Sequence, residues 1–205
     1  MDYKQLATEE SIKKTTTALE ERGFHTAVVN TKEEALEKIK ALIPAGASVM
    51  NGASVTLEAI GYSEYLREGN HPWKDLHAGV TAESDPLKRA ELRKKSVNSD
   101  YYLGSVHALA ETGQILIASN SGSQLPHIAF TSPNIIFVVS TKKIMPTLDE
   151  AFQRLEEYVI PLEDERMKEA MGVGTMKAKT LVLHRENPAL KRNVLILFVK
   201  EDLGF

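Results

Sequence analysis

The spacing of apolar residues changes period repeatedly along the chain, and each change marks the passage from a helix to a strand or back. The opening "TEESIKKTTTALEER" predicts a helix over about residues 8–22, with Thr8 as cap, Glu9 and Glu10 in the first turn, and Gly23 as the stop. "FHTAVVN", residues 24–30, is rich in β-branched side chains and predicts a strand. "TKEEALEKIKALI" carries a capping box, Thr31 with Glu34, and places Ala35, Ile39, Leu42 and Ile43 on one helical face. A short buried strand, residues 47–50, then leads through "NGAS" into the helical stretch "VTLEAIGYSEYLREG". "NHPWKDLHAG" reads as irregular, and a charged helix is expected near residues 83–97.

Strands are expected at "DYYLG" (residues 100–104), "QILIAS" and "NIIFVVS" (residues 134–140), the last with the strongest pattern. "TLDEAFQRLEEYV" follows as an amphipathic helix, capped by Thr147, with Leu148, Phe152, Leu155 and Val159 facing inward. Residues 161–193 read as the least regular part, and "NVLILFV" closes the chain as a strand. This alternation predicts an α/β fold with an open, mainly parallel sheet and helices on both faces. Two strands stand close together in residues 101–119, so the order is not a simple double winding. With neither repeats nor a low-complexity linker, residues 1–205 are expected to form one domain, the first helix packed upon it.

Composition narrows the function classes. The 205 residues are 42% hydrophobic and 26% charged, with a formal net charge of −3. That balance lacks the basic excess needed to neutralise phosphates, which argues against nucleic-acid and anionic-membrane partners. The basic run "LKRAELRKK" fits the solvated face of a helix. The absence of cysteine excludes disulfides, thiolate nucleophiles, iron–sulfur clusters and cysteine-based zinc sites. A polar N-terminal stretch, and no apolar run near the ~18 residues of a membrane span, lead to the expectation of a cytoplasmic protein.

Two stretches carry candidate chemistry. In "SVMNGASVTLEAIG" a buried strand, a loop of small residues and a helix start follow one another, an arrangement that offers backbone N–H groups to an anion. Asn51, Gly52, Ser54 and Thr56 are the candidate contacts; a plain capped turn is the alternative. In "HALAETGQILIASNSGSQLP", Glu111 stands beside the Thr112–Gly113 turn, and a Ser/Gly/Asn loop follows the strand. A carboxylate shielded by Leu109 and Ile115 would have a raised pKa suited to proton transfer, or could act as a nucleophile. The alternative is a turn residue bonded to nearby backbone N–H groups. His107 and Glu111 stand four apart, half a metal site on a helix, but the Thr-Gly break follows at once, and no metal is expected. "GVGTMK", residues 172–177, lacks the spacing of a phosphate loop and reads as a flexible connection.

The blocks "IPAGASVMNGASVTLEAIGYSEYL", "DYYLGSVHALAETGQIL", "NIIFVVSTKKIMPTLDEAFQRLEEYVIPLEDERM" and "NVLILFVKEDLGF" together resemble the LUD (lactate-utilisation) domain, the domain of lactate-utilisation protein C. The resemblance runs from about Leu6 to Phe205 and implies a NagB/RpiA/CoA-transferase-like fold. Residue by residue, Ser54 and Thr56 match the family's Ser-x-Thr, Asp100 the acid opening the next block, and Glu111 and Gly113 the "E-x-G" element. The resemblance adds Asp100 and Gly113 to the ligand-binding candidates, which also include Gly104 at the end of "DYYLG" and Asn120, Ser121 and Gly122 of the Ser/Gly/Asn loop. It implies a small anionic metabolite as ligand. It also implies redox proteins of lactate oxidation as partners, and it is compatible with a homodimer. Two roles follow: a binding component of 2-hydroxy-acid utilisation, or a stand-alone CoA-transferase-like or sugar-phosphate-isomerase-like enzyme using Glu111 for acyl or proton transfer. The chain departs from many relatives in lacking a cysteine cluster before the last strand, and "NSGSQLPHIAF" replaces the "GNR" element of one branch. No cofactor is implied with certainty.

Overall fold

The computed structural model describes residues 2–205. The elements are α1 (Glu9–Glu20), β1 (His25–Val29), α2 (Lys32–Leu42), β2 (Ser48–Asn51), α3 (Val55–Ala59), α4 (Tyr62–Arg67), β3 (Lys74–Asp75), α5 (Leu76–Ala82) and α6 (Pro86–Lys95). They continue with β4 (Tyr101–Gly104), β5 (Ala108–Ala110), β6 (Ile115–Ser119), β7 (Asn134–Ser140), β8 (Ile144–Met145), α7 (Leu148–Arg154), α8 (Ile160–Met171), β9 (Lys179–Leu183) and β10 (Asn193–Val199). Among the described residues no helix is long and apolar enough to cross a membrane.

Helix starts follow the sequence signals. Thr8, Thr31 and Thr147 each accept a hydrogen bond from the backbone N–H three residues on, and Glu34 returns to the N–H of Asn30. The stretch after β2 is two helices rather than one, because Gly61, at φ +79°, breaks it. α6 buries none of its residues, as a solvated charged helix should.

The main sheet has six strands, all parallel, in the order β1-β10-β7-β4-β2-β3. Its central strands are apolar on both faces, and alternate side chains go to different cores. Ile136, Val138, Leu195, Leu197 and Val199 pack with Ala35 and Ile39 of α2, Leu57 of α3, and Tyr62 and Leu66 of α4. Ile135, Phe137, Val139, Val194, Ile196 and Phe198 face the opposite way and meet Ile12 and Leu19 of α1. Helices therefore cover one face completely, while the second face is shared.

What shares it is a four-stranded mixed sheet, β8-β5-β6-β9, which the sequence pattern does not announce. Leu109, Ile115, Ile117 and Ile144 from this sheet complete the core under the main one. Its outer side, Ala108, Leu116, Ala118 and Met145, packs on Ala151, Leu155 and Val159. The expectation of irregular structure over residues 161–193 is corrected here: α8 and β9 occupy much of it. β9 alternates weakly and lies half-exposed at a sheet edge, so its period-2 signal is faint.

The helix predicted over residues 148–159 is continuous, but its second half, Leu155–Val159, is a π-helical turn leading directly into α8. Pro161 has no N–H for the carbonyl one turn back, and a widened turn accommodates that loss.

α1 is fastened to the β5–β6 turn at Gly113, whose φ is +87°. A Cβ there would lie 2.7 Å from Arg22 Cδ and 2.9 Å from the Ala18 carbonyl oxygen. Arg22 in turn donates to the carbonyls of Thr112 and His184, at 2.6 and 3.0 Å. Gly113→Ala is therefore expected to destabilise the fold by roughly 1–3 kcal/mol, through the left-handed backbone and the clash together. Urea unfolding would show this as a lower midpoint with an unchanged slope.

Candidate functional site

A cavity of about 450 Å³ opens at the carboxyl ends of the parallel strands. β2 and β4 are neighbours there, but the chain leaves β2 outwards towards β3 and leaves β4 inwards towards β7. Such a divergence opens a crevice in which open α/β sheets hold their ligands. The loop after β2 supplies Gly52, Ser54 and Thr56; the segment after β4 supplies Ser105, Val106 and His107. Ser119, Asn120 and Ser121 enter from the end of β6, and Lys143 from just beyond β7. Glu163 and Arg166 of α8, with Lys177, form the outer wall.

Lys143 governs the electrostatics. The residue is 3% exposed, and its amino group lies 3.0 Å from Oγ1 of Thr56 and 3.0 Å from Oγ of Ser105. It donates to the carbonyl of Val106 at 3.1 Å. Among the described residues no carboxylate pairs with it. Burial holds its pKa well below that of an ordinary lysine, and the neighbouring Arg154 and Lys142 push in the same direction. Its sequence neighbour Lys142 is equally buried but pairs with Asp202 and donates to the Gly204 carbonyl at 2.6 Å. The two adjacent lysines thus stand in opposite environments, one with an acid and one without.

The surrounding groups are fixed, and none of them is an acid. His107 Nδ1 accepts from the Ala118 N–H at 3.1 Å, which places the ring proton on Nε2. Desolvation, with Lys143 and Arg154 nearby, drives the His107 pKa down to about 3. The Arg154 guanidinium donates to the His107 carbonyl, lies 5.2 Å from the Tyr158 ring centroid, and leaves Nε and Nη2 without partners. Tyr102 stacks on His127 at 4.7 Å and donates to Gln124 Oε1 at 3.3 Å. A Cβ on Gly52 would come within 3.0 Å of that tyrosine oxygen, so a glycine lets the loop close over it.

The residues singled out from sequence divide into two groups. Gly52, Ser54, Thr56, Gly104, Asn120 and Ser121 line the cavity together. Ser54 is also the cap of α3, accepting from the Leu57 N–H at 3.3 Å. Asn51, buried at the end of β2, and Gly122, a left-handed turn residue at φ +83°, stand next to lining residues without lining the cavity themselves. Asp100 sits at the opposite end of β4, where its carboxylate accepts from the N–H and hydroxyl of Ser48. Those hydrogen bonds hold it below the usual carboxylate range, and its evident role is to tie β4 to β2. Gly113 belongs to the α1 contact described above.

Glu111 is likewise set apart. Its carboxylate does not share the cleft of Ser54 and Thr56; it lies in an open depression against α1, 2.7 Å from Lys14 Nζ. Burial pushes its pKa up, but hydrogen bonds from Lys14 and Ser11 outweigh this and hold it below the usual range. The raised pKa expected of a proton-transfer carboxylate is not found there. Nor do His107 and Glu111 share a helical face, since β5 runs between them.

Lys143, Ser105, Arg166 and Lys177 escaped the sequence reading. Lys143 had one signal: "STKK" follows the most strongly patterned strand, and strand ends are where such sheets bind ligands. "GVGTMK" reads as a loop, and its Thr175, Met176 and Lys177 line the cavity from that loop.

The architecture is thus an α/β domain with a parallel main sheet and a cavity at its strand ends. A model of the LUD domain matches residues 12–189, and the chain belongs to that family. The structure is similar to that of a DUF162 family protein from Deinococcus radiodurans solved at 1.70 Å, with a TM-score of 0.55 and 13% identity. That likeness covers 95% of this chain and 98% of the other. No curated protein matches the sequence.

Lys143→Met is expected to stabilise the empty protein at pH 7 by about 1–2 kcal/mol, because an apolar side chain bears no desolvation penalty. In the wild type the folded lysine binds its proton less readily than the unfolded one. Wild-type stability therefore rises with pH up to the unfolded value near 10.5, and the advantage of the variant shrinks over that range. Urea titrations of both proteins at pH 7 and pH 10 measure the difference.

Proposed function

We propose that this LUD-domain protein binds a small anionic metabolite in the cavity at the strand ends, as a component of lactate or other 2-hydroxy-acid utilisation. The observation that carries this reading is the buried amino group of Lys143, which has hydroxyl and carbonyl partners and no acid. An anion beside it supplies the counter-charge that the fold omits, and the amine then takes up a proton. Among the basic side chains that line the cavity, Arg166 is paired with Glu163 and Lys177 with Glu156, so among the described residues Lys143 is the one left for an external anion. Hydroxyls of Ser54, Thr56, Ser105, Ser119 and Ser121 provide donors for carboxylate or phosphate oxygens.

The lactate connection rests on family membership. In this reading any thiolate-held redox cluster belongs to partner proteins, since the chain has no cysteine. Glu111 has no part in it, because its carboxylate is engaged with Lys14 outside the cavity.

Isothermal calorimetry with lactate, pyruvate, inorganic phosphate, a sugar phosphate and a CoA ester tests the proposal. At least one should bind, with affinity rising as pH falls and with measurable proton uptake in buffers of different ionisation enthalpy. Lys143→Met should weaken that binding at least roughly tenfold, a loss of about 1.4 kcal/mol. The pair Ser54→Ala with Thr56→Ala should weaken it as well. A wild-type protein that binds none of these anions would sink the reading.

A further inference from the structure

Lys143 is unusual in being shielded from water, free of any acid, and still facing a cavity large enough for a metabolite. Three elements converge on its amino group: Thr56 at the start of α3, Ser105 and Val106 beyond β4, and its own position beyond β7. The charged and titratable groups around it are His107 from the β4–β5 connection, Arg154 from α7, and Lys142 beside it. None of these can serve as a counter-ion for an ammonium group, and Glu163, the carboxylate that lines the same cavity, is engaged by Arg166 through both of its oxygens. A lysine in such surroundings keeps its lone pair, and an uncharged primary amine at a ligand site is a nucleophile towards carbonyl carbon.

We propose that Lys143 is a carbonyl-reacting amine that condenses with a small anionic aldehyde or ketone, of the 2-oxo-acid kind, to form a reversible imine in the cavity. This deepens, and rests on, the reading of the cavity as an anion site.

The step balances without any redox partner. The Nζ lone pair forms a C–N bond with the carbonyl carbon, and the C=O π pair moves to oxygen. The nitrogen then releases a proton, which the hydroxyls of Thr56 and Ser105, each 3.0 Å from Nζ, are placed to relay to that oxygen. The carbinolamine next loses its C–O bond as the hydroxyl takes up one more proton from solvent and departs as water. The nitrogen pair closes the C=N bond. The sum is amine plus carbonyl plus one proton giving iminium plus water. The iminium restores a positive charge where the fold has no acid, and the carboxylate or phosphate of the ligand neutralises it. That is the reason for expecting the substrate to carry both a carbonyl and an anionic group. The iminium also draws electrons from the adjacent carbon, so reactions that break a C–H or C–C bond at that carbon are those it would promote.

Reductive trapping decides the matter. The full-length protein is incubated at neutral pH with pyruvate or glyoxylate and sodium cyanoborohydride, then analysed by intact mass and peptide mapping. The expected result is a single saturable adduct on the peptide containing Lys143, suppressed by excess phosphate or lactate and absent from Lys143→Met. Mapping the wild-type protein needs no variant, so a poorly folding Lys143→Met would leave the test intact. Adducts confined to exposed lysines such as Lys14, with pyruvate binding still seen by calorimetry, would overturn the imine and leave the anion site standing. Loss of both signals would remove the two readings together.

Discussion

The buried amino group of Lys143 is the constraint around which the functional end of this fold is arranged. It is held by a hydroxyl from the start of α3, a hydroxyl and a carbonyl from the segment after β4, and the backbone beyond β7. Those three connections belong to different strands of the parallel sheet, so one side chain gathers them around a common cavity. The arrangement costs stability, since a lysine without an acid must shed its proton or find an ion from outside. Lys142 shows the ordinary solution one residue earlier, a carboxylate partner in Asp202. The fold therefore has the means to neutralise a buried lysine and applies it to only one of the pair. Local energetic inconsistency of this kind is what a functional site looks like from the standpoint of folding.

The second sheet gives the cavity its depth. In an open sheet flanked only by helices, the crevice at the strand ends is shallow and bounded by loops. Here β5, β6, β8 and β9 stack beneath the main sheet and carry α7 on their outer face. The π-helical turn and α8 then reach over the strand ends and place Leu155, Val159, Glu163 and Arg166 opposite Lys143. Thus the main sheet supplies Lys143 and the hydroxyls of Ser54, Thr56 and Ser105, while the second layer adds Ser119 and Ser121 and a cover that is apolar at Leu155 and Val159 and charged at Glu163 and Arg166.

Much of the fold was legible in the sequence because it rests on local chemistry. The caps Thr8, Thr31 and Thr147, the doubly apolar strand of residues 134–140 and the helices between them follow from periodicity and side-chain oxygens. Of the second sheet only β6 was, in "QILIAS", because β5 has three residues, β8 two, and β9 a half-exposed edge. Pairings of that length depend on tertiary contact and leave almost no periodic signal. The site was legible in the same proportion. Ser54, Thr56 and Asn120 sit where strand-end logic puts them, but Lys143 has the sequence context of any lysine after a strand. Only the distances to Thr56, Ser105 and Val106, with no acid among its partners, set it apart. Glu111 teaches the converse: an acid on a recurring motif was attractive in one dimension and lies against α1 in three.

The π-helical turn at Leu155–Val159 bears on how this wall can vary among relatives. A widened turn holds about one residue more than an ordinary one, and each residue of an α-helix advances the azimuth by about 100°. The phase of α8 relative to α7 is thus set by a single backbone insertion. A relative that loses that residue would keep α7 on the second sheet and yet swing Glu163, Arg166 and Met167 off the cavity, presenting a different stripe of α8 to the same Lys143. Divergence in what the family recognises could then arise by a change of helical register, with every residue of the cavity floor left as it is.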